Sequence, residues 1–194
     1  MNTDDSVSNA VSVLIRVAHL CLLQLVLMTA LSLLLYVVAA LSYAVYDSLG
    51  GLENVLPVFW RYKDFLSANG NANNFPTVFS ISLMNIVVHV LFLILICRLL
   101  FNRINFRSAE RISLKRNLLF VALLALTAVF LVELFVGPLD LNSIWGPGIP
   151  NAPISVTAVY FRNCVLAPAA NITFAFMIVT RFGLSAALTQ RNYN

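Results

Sequence analysis

Charge is scarce in this 194-residue sequence: only 10% of its residues are Asp, Glu, Lys or Arg. A soluble domain carries about 25%. A globule of this size could not cover its surface with so few charges, so a water-soluble protein is excluded. A net charge of +4 on a chain that is 60% apolar is no basic footprint, which argues against nucleic acid as a partner. Cysteine is also sparse. Cys21, Cys97 and Cys164 are odd in number and widely spaced, so they supply neither a disulfide framework nor zinc-ligand spacing. They read as small buried hydrophobes. Phosphate loops, nucleophile elbows and H-E-x-x-H are all missing, and with them the usual routes to catalysis. The expectation is a non-enzyme without a metal.

Long apolar runs are what the chain has, with a mean hydropathy of +0.89. Crossing the hydrocarbon core takes roughly 20 apolar residues as a helix. Four stretches meet that length, at about 12–46, 77–100, 116–136 and 154–181. They are solid runs and do not alternate, which argues against a barrel. The expected fold is all-α: a polytopic integral membrane protein forming a four-transmembrane-helix bundle, one domain over 1–194 with no separate soluble part.

Lys and Arg in the short loops set the orientation. With both termini inside, the inner face holds Arg16, Arg98, Arg103, Arg107, Arg111, Lys115, Arg116, Arg181 and Arg191. The outer face holds Arg61 and Lys63, and Arg162 is embedded. Nine against two selects this topology. The acidic start, Met1-Asn2-Thr3-Asp4-Asp5, has no basic region of the kind that precedes a cleaved signal, so the first span is expected to remain as an anchor. A bacterial inner membrane is the default compartment, with a mitochondrial inner membrane as the alternative.

The loops carry three patterns. In the first outer loop Phe59, Trp60, Tyr62 and Phe65 alternate with Arg61, Lys63 and Asp64. That mixture suits a short interfacial helix with Phe59, Trp60 and Tyr62 in an aromatic belt. The second outer loop packs four prolines and three glycines into residues 137–153, with Trp145 as a further interfacial aromatic. The inner loop repeats Arg103, Arg107, Arg111 and Lys115 every four residues, one stripe if helical. Like charges at that spacing repel, so the stripe suits anionic lipid headgroups or an acidic partner; ordinary positive-inside topology is the simpler explanation and the preferred one.

Polar side chains at membrane depth are costly and usually face the bundle interior. Counting helical rise from the flanking inner cation, Gln24 stands about 12 Å up, His89 about 13 to 14 Å, Asn171 about 15 Å and Thr127 about 16 Å. Asn85 shares a face with His89, as does Ser82. These residues are either interhelical glue, each contact worth about 0.6 to 2 kcal/mol, or the lining of a polar cavity for a proton, ion or quinone headgroup. Nearer the outside, Glu133 and Arg162 are expected to form an embedded ion pair, since either charge alone in hydrocarbon is expensive. Haem held by His19 and His89 is disfavoured, because His19 stands only about 5 Å up; bound lipids are the only cofactor-like molecules expected. The small-residue runs Ala39-Ala40 to Ala44 and Ala167 to Ala170 offer close-packing sites. Two functions follow: a non-catalytic subunit or accessory factor of a larger membrane complex, or a small carrier, channel or proton- or quinone-handling protein.

Overall fold

The computed structural model describes residues 3–68, 70–104, 114–135 and 156–183. These residues are helical with no strand among them. In chain order the helices are α1 (Thr3–Val37), α2 (Ala39–Leu49), α3 (Pro57–Ala68), α4 (Phe75–Arg103), α5 (Leu114–Phe135) and α6 (Val156–Ile178). Short 3-10 turns, Gly50–Asn54 and Ala72–Asn74, precede α3 and α4, and a π-helical turn, Val179–Gly183, follows α6.

Among the described residues, three segments are long and apolar enough to cross a membrane: Ala10–Val37, Ala72–Arg103 and Cys164–Phe182. In α5 a shorter apolar stretch covers Asn117–Val132. The first of the long segments ends at Val37, short of the expected 46, because the helix breaks at Val38 (φ −101°, ψ 76°) before α2 begins. Neither proline nor glycine causes this break. Serine hydroxyls support it instead. Buried Ser42 donates to the Leu35 carbonyl at 2.5 Å, and buried Ser80 donates to the Ser42 carbonyl at 2.8 Å. The Leu35 carbonyl, which the break takes out of the regular helix ladder, thus finds a donor without water, and Ser80 ties α4 to α2 just past the break.

By its contacts the chain forms two compact units, each drawing on several helices. One comprises Leu25–Val88 and Phe130–Ala167. Its core joins Leu35 of α1, one face of α3 and the start of α4. Val58, Phe59, Tyr62 and Leu66 recur at helical spacing and are all fully buried, while Trp60, Lys63 and Asp64 point outward. The Phe59 ring lies 4.6 Å from that of Phe79, and Tyr46 meets both Phe75 and Phe79 edge-on. Phe59 and Tyr62 are therefore core residues and do not belong to an outward aromatic belt; of the three α3 aromatics proposed for that belt, only Trp60 is exposed. Helix α3 closes on a Schellman motif: Asn71 N–H bonds Leu66 O at 2.8 Å and Gly70 N–H bonds Ser67 O at 3.2 Å. The motif needs the left-handed φ of 70° that Gly70 adopts.

The other unit comprises Met1–Gln24, His89–Val129 and Pro168–Asn194. Its apolar core takes Ala10, Val13, Val17 and Cys21 from α1, and Ile96 and Leu100 from α4, with Ile104 just beyond. Ala175 and Val179 complete it from the α6 side. Ala167 and Ala170 are buried as close-packing sites, whereas Ala39, Ala40 and Ala44 face outward.

Ser42→Ala leaves the Leu35 carbonyl without its donor in a dry site. A loss of about 1–3 kcal/mol is expected in reversible unfolding, against almost none for Ser48→Ala, whose exposed hydroxyl only bonds Ala44 O in its own helix. Gly70→Ala is expected to cost about 1 kcal/mol through backbone strain alone, since a Cβ there meets nothing within 4 Å.

Candidate functional site

Helix α1 carries its polar residues on the face that also buries Met28, at positions 24 and 32, eight residues or about two turns apart. Gln24 and Ser32 are both buried, while Leu22, Leu23, Val26 and Leu27 on the other faces are exposed. Over residues 20–28 the helix is therefore apolar on its exposed faces and polar on its buried one.

Each unit has its own polar group. In the Leu25–Val88 unit, Asn85 of α4 donates through Nδ2 to Ser32 Oγ at 3.3 Å and to Cys164 Sγ at 3.7 Å. Ser32 and Cys164 are 3.3 Å apart. One side-chain amide thereby ties α1, α4 and α6. In the other unit, Asn171 Nδ2 donates to Gln24 Oε1 at 2.8 Å, fixing α6 to α1. Thr127 and Thr173 meet at 3.0 Å between α5 and α6. Their hydroxyls also lie 2.8 Å from Leu123 O and 2.9 Å from Ala169 O. A hydroxyl has one proton, so one threonine gives up its own helix carbonyl to make the bridge. His89 is buried in this unit at 1% exposure. His19 is exposed and its Nδ1 donates to the Ile15 carbonyl, so the two histidines do not share a buried face.

Among the described residues no three His, Cys, Asp or Glu side chains gather as a metal site. An open pocket of about 310 Å³ is lined by Tyr43, Tyr46, Lys63, Ser67, Asn73 and Phe75, among others. Beside it Glu53 accepts from Lys63 Nζ at 3.0 Å and from the Tyr46 hydroxyl at 3.1 Å. The Lys63 ammonium, with help from Tyr46, holds the Glu53 carboxyl below the usual range, and the same pairing raises Lys63. Burial and the bond to Glu53 push the Tyr46 hydroxyl upward. The cation and the anion neutralise each other, which leaves the pocket little means of selecting a charged ligand.

Arg103 is exposed at the end of α4. Arg107, Arg111 and Trp145 lie outside the described residues, as do the side chains of Lys115, Glu133 and Arg162. Sequence reasoning passed over Ser32, Cys164 and Thr173. Ser32 had a signal in its two-turn spacing from Gln24, but a cysteine and a threonine on apolar helices had none.

Comparison of the chain with protein-family models, curated proteins and solved structures finds no match.

Two measurements follow. In a double-mutant cycle of Gln24→Ala and Asn171→Ala, a coupling of about 0.6–1.7 kcal/mol is expected in detergent unfolding; additive losses would dissolve the pair. Glu53 has a depressed folded-state pKa, so its contribution is complete above the unfolded carboxylate range and is lost as pH falls through the depressed value. Lys63 has a raised one, so its share is lost only as pH rises through that value. Glu53→Gln should cost about 0.2–1 kcal/mol at neutral pH and flatten the acid side of the stability profile.

Proposed function

We propose that this chain is a non-catalytic integral membrane subunit or accessory factor of a larger membrane assembly. The reading includes four spans, with α5 as the third, both termini inside and α3 lying at the outer headgroup level. A bacterial inner membrane is the default compartment, with a mitochondrial inner membrane as the alternative. The observation that carries the proposal is how the buried polar side chains are used. Gln24 bonds Asn171, Asn85 bonds Ser32 and Cys164, and Thr127 meets Thr173. Groups engaged in fastening helices to one another are not free to escort a solute.

Outward-facing apolar side chains supply the second support. Leu22, Leu23 and Val26 on α1, Leu91 and Ile94 on α4, and Leu118 on α5 are all more than half exposed. Lipid tails and apolar faces of neighbouring subunits would cover such surfaces, and the inner-face cations suit anionic headgroups.

A proton or quinone carrier is the rival reading, and buried His89 favours it. Mild-detergent extraction of the natively expressed protein followed by size analysis separates the two. A subunit should co-migrate with other membrane proteins in fixed ratio, whereas a carrier should run alone or as a homo-oligomer. His89→Ala and Asn85→Ala should leave the assembled complex active. Loss of activity in complexes that still assemble would overturn the subunit reading.

A further inference from the structure

Residues three or four apart on a helix share a face, and two such pairs meet across the open pocket of about 310 Å³. Tyr43 and Tyr46 come from α2, and Lys63 and Ser67 from α3. Asn73 of the 3-10 turn and Phe75 at the start of α4 add to the lining. All of these residues belong to the Leu25–Val88 unit. Hydrogen bonds between the elements fix the walls. Tyr43 donates to the Asn73 carbonyl at 3.1 Å, which joins α2 to the turn before α4. Glu53 accepts from both Lys63 and Tyr46 and so joins α3 to α2. A site framed by packed helices holds its geometry better than one on loops.

The polar atoms of the lining have a definite sense. Both phenol protons are committed, that of Tyr43 to Asn73 O and that of Tyr46 to Glu53, so each phenolic oxygen has only acceptor capacity left. Lys63 spends one proton on Glu53 and keeps the others. Ser67 and Asn73 are exposed, and each brings both a donor and an acceptor. The Lys63–Glu53 pair balances its own charge, which favours neither an anion nor a cation. Three aromatic rings, mixed donors and acceptors and no net charge match a neutral ring whose hydroxyls donate and accept and whose C–H faces are apolar. Pockets for small molecules run from about 300 to 1,000 Å³. This one lies at the lower end and suits a single such ring.

We propose that the pocket binds one neutral, hydroxyl-rich sugar ring, for which a glycolipid headgroup and a free sugar are the two sources. The apolar face of the ring lies against the aromatic side chains, and its hydroxyls bond Lys63, Ser67 and Asn73. A glycolipid reaches the pocket when α3 lies at the outer headgroup level, the placement proposed above; a free sugar has no such requirement. Neither source needs partner subunits.

The test uses the full chain in a polyoxyethylene detergent, which carries no sugar. A monohexosyldiacylglycerol (glucosyl and galactosyl forms in turn), phosphatidylglycerol and diacylglycerol are offered in equal amounts, and retained lipid is read by native mass spectrometry. The wild type should retain one of the glycolipids about tenfold over the other two lipids, the worth of one or two neutral hydrogen bonds. Asn73→Ala removes the amide but keeps the carbonyl that Tyr43 uses, and should reduce the preference severalfold. Tyr43→Ala removes a ring from the lining and should reduce it at least as far. Both positions are exposed, so neither change opens the core. Trp60→Leu alters an exposed aromatic outside the lining and should keep the whole preference. The matching methyl glycoside, offered alone, separates the sources. Binding that Asn73→Ala weakens supports a free sugar, and binding of the glycolipid only supports a headgroup. No preference in the wild type, a preference for phosphatidylglycerol, an unchanged ratio in Asn73→Ala or Tyr43→Ala, or an equal loss in Trp60→Leu overturns the site. A chain that purifies alone yet shows the preference sinks the subunit reading and leaves the site standing.

Discussion

Hydrocarbon offers no hydrogen bonds, and this constraint governs the rest of the structure. Any donor or acceptor at membrane depth must find a partner within the protein or cost several kcal/mol. The described helices meet it with side chains of other helices. Asn171 reaches Gln24, and the Asn85 amide divides its two protons between Ser32 and Cys164. Apolar contact alone gives little orientation in a lipid solvent, because lipid tails are as apolar as leucine. The polar contacts therefore select which helix faces turn inward. The same logic explains the break at Val38, where the Ser42 and Ser80 hydroxyls serve carbonyls that water cannot reach.

Around α3 and the first turns of α4 the chemistry changes. The segment from α2 to the start of α4 is held by aromatic packing among Tyr46, Phe59, Phe75 and Phe79. Glu53 bridges Lys63 and Tyr46 at its edge. Lys63 also sits 5.7 Å from the Phe75 ring centre, so one cation serves a carboxylate and an aromatic face together. An ion pair is useful here because solvent shares the cost of the charges.

Helices and inward-facing polar residues could be read from the sequence because hydrophobic length and the cost of buried polarity act residue by residue. Heights counted from Arg16 and Arg181 put Gln24 and Asn171 within a few ångströms of one another, and their side chains meet. The break at Val38 was not legible: neither proline nor glycine marks it, and nothing in sequence distinguishes the Ser42 hydroxyl that serves the Leu35 carbonyl from that of any other helical serine. Phe59 and Tyr62 were misread for a different reason. Aromatics among charges suggested an interface, while the spacing 58, 59, 62, 66 already described a buried stripe. Cys164 was legible as a small buried residue, but its contacts and those of Thr173 were not, because one buried thiol or hydroxyl looks like another until its neighbour is known.

The central claim is that α5 crosses the membrane, which puts the connections before and after it on opposite sides. Single cysteines introduced by Ser108→Cys and Ser143→Cys, in a chain whose three native cysteines are alanine, test it with a membrane-impermeant maleimide on intact cells. The account predicts labelling at position 143 from outside and at position 108 only after permeabilisation. Labelling of both from the same side would contradict it.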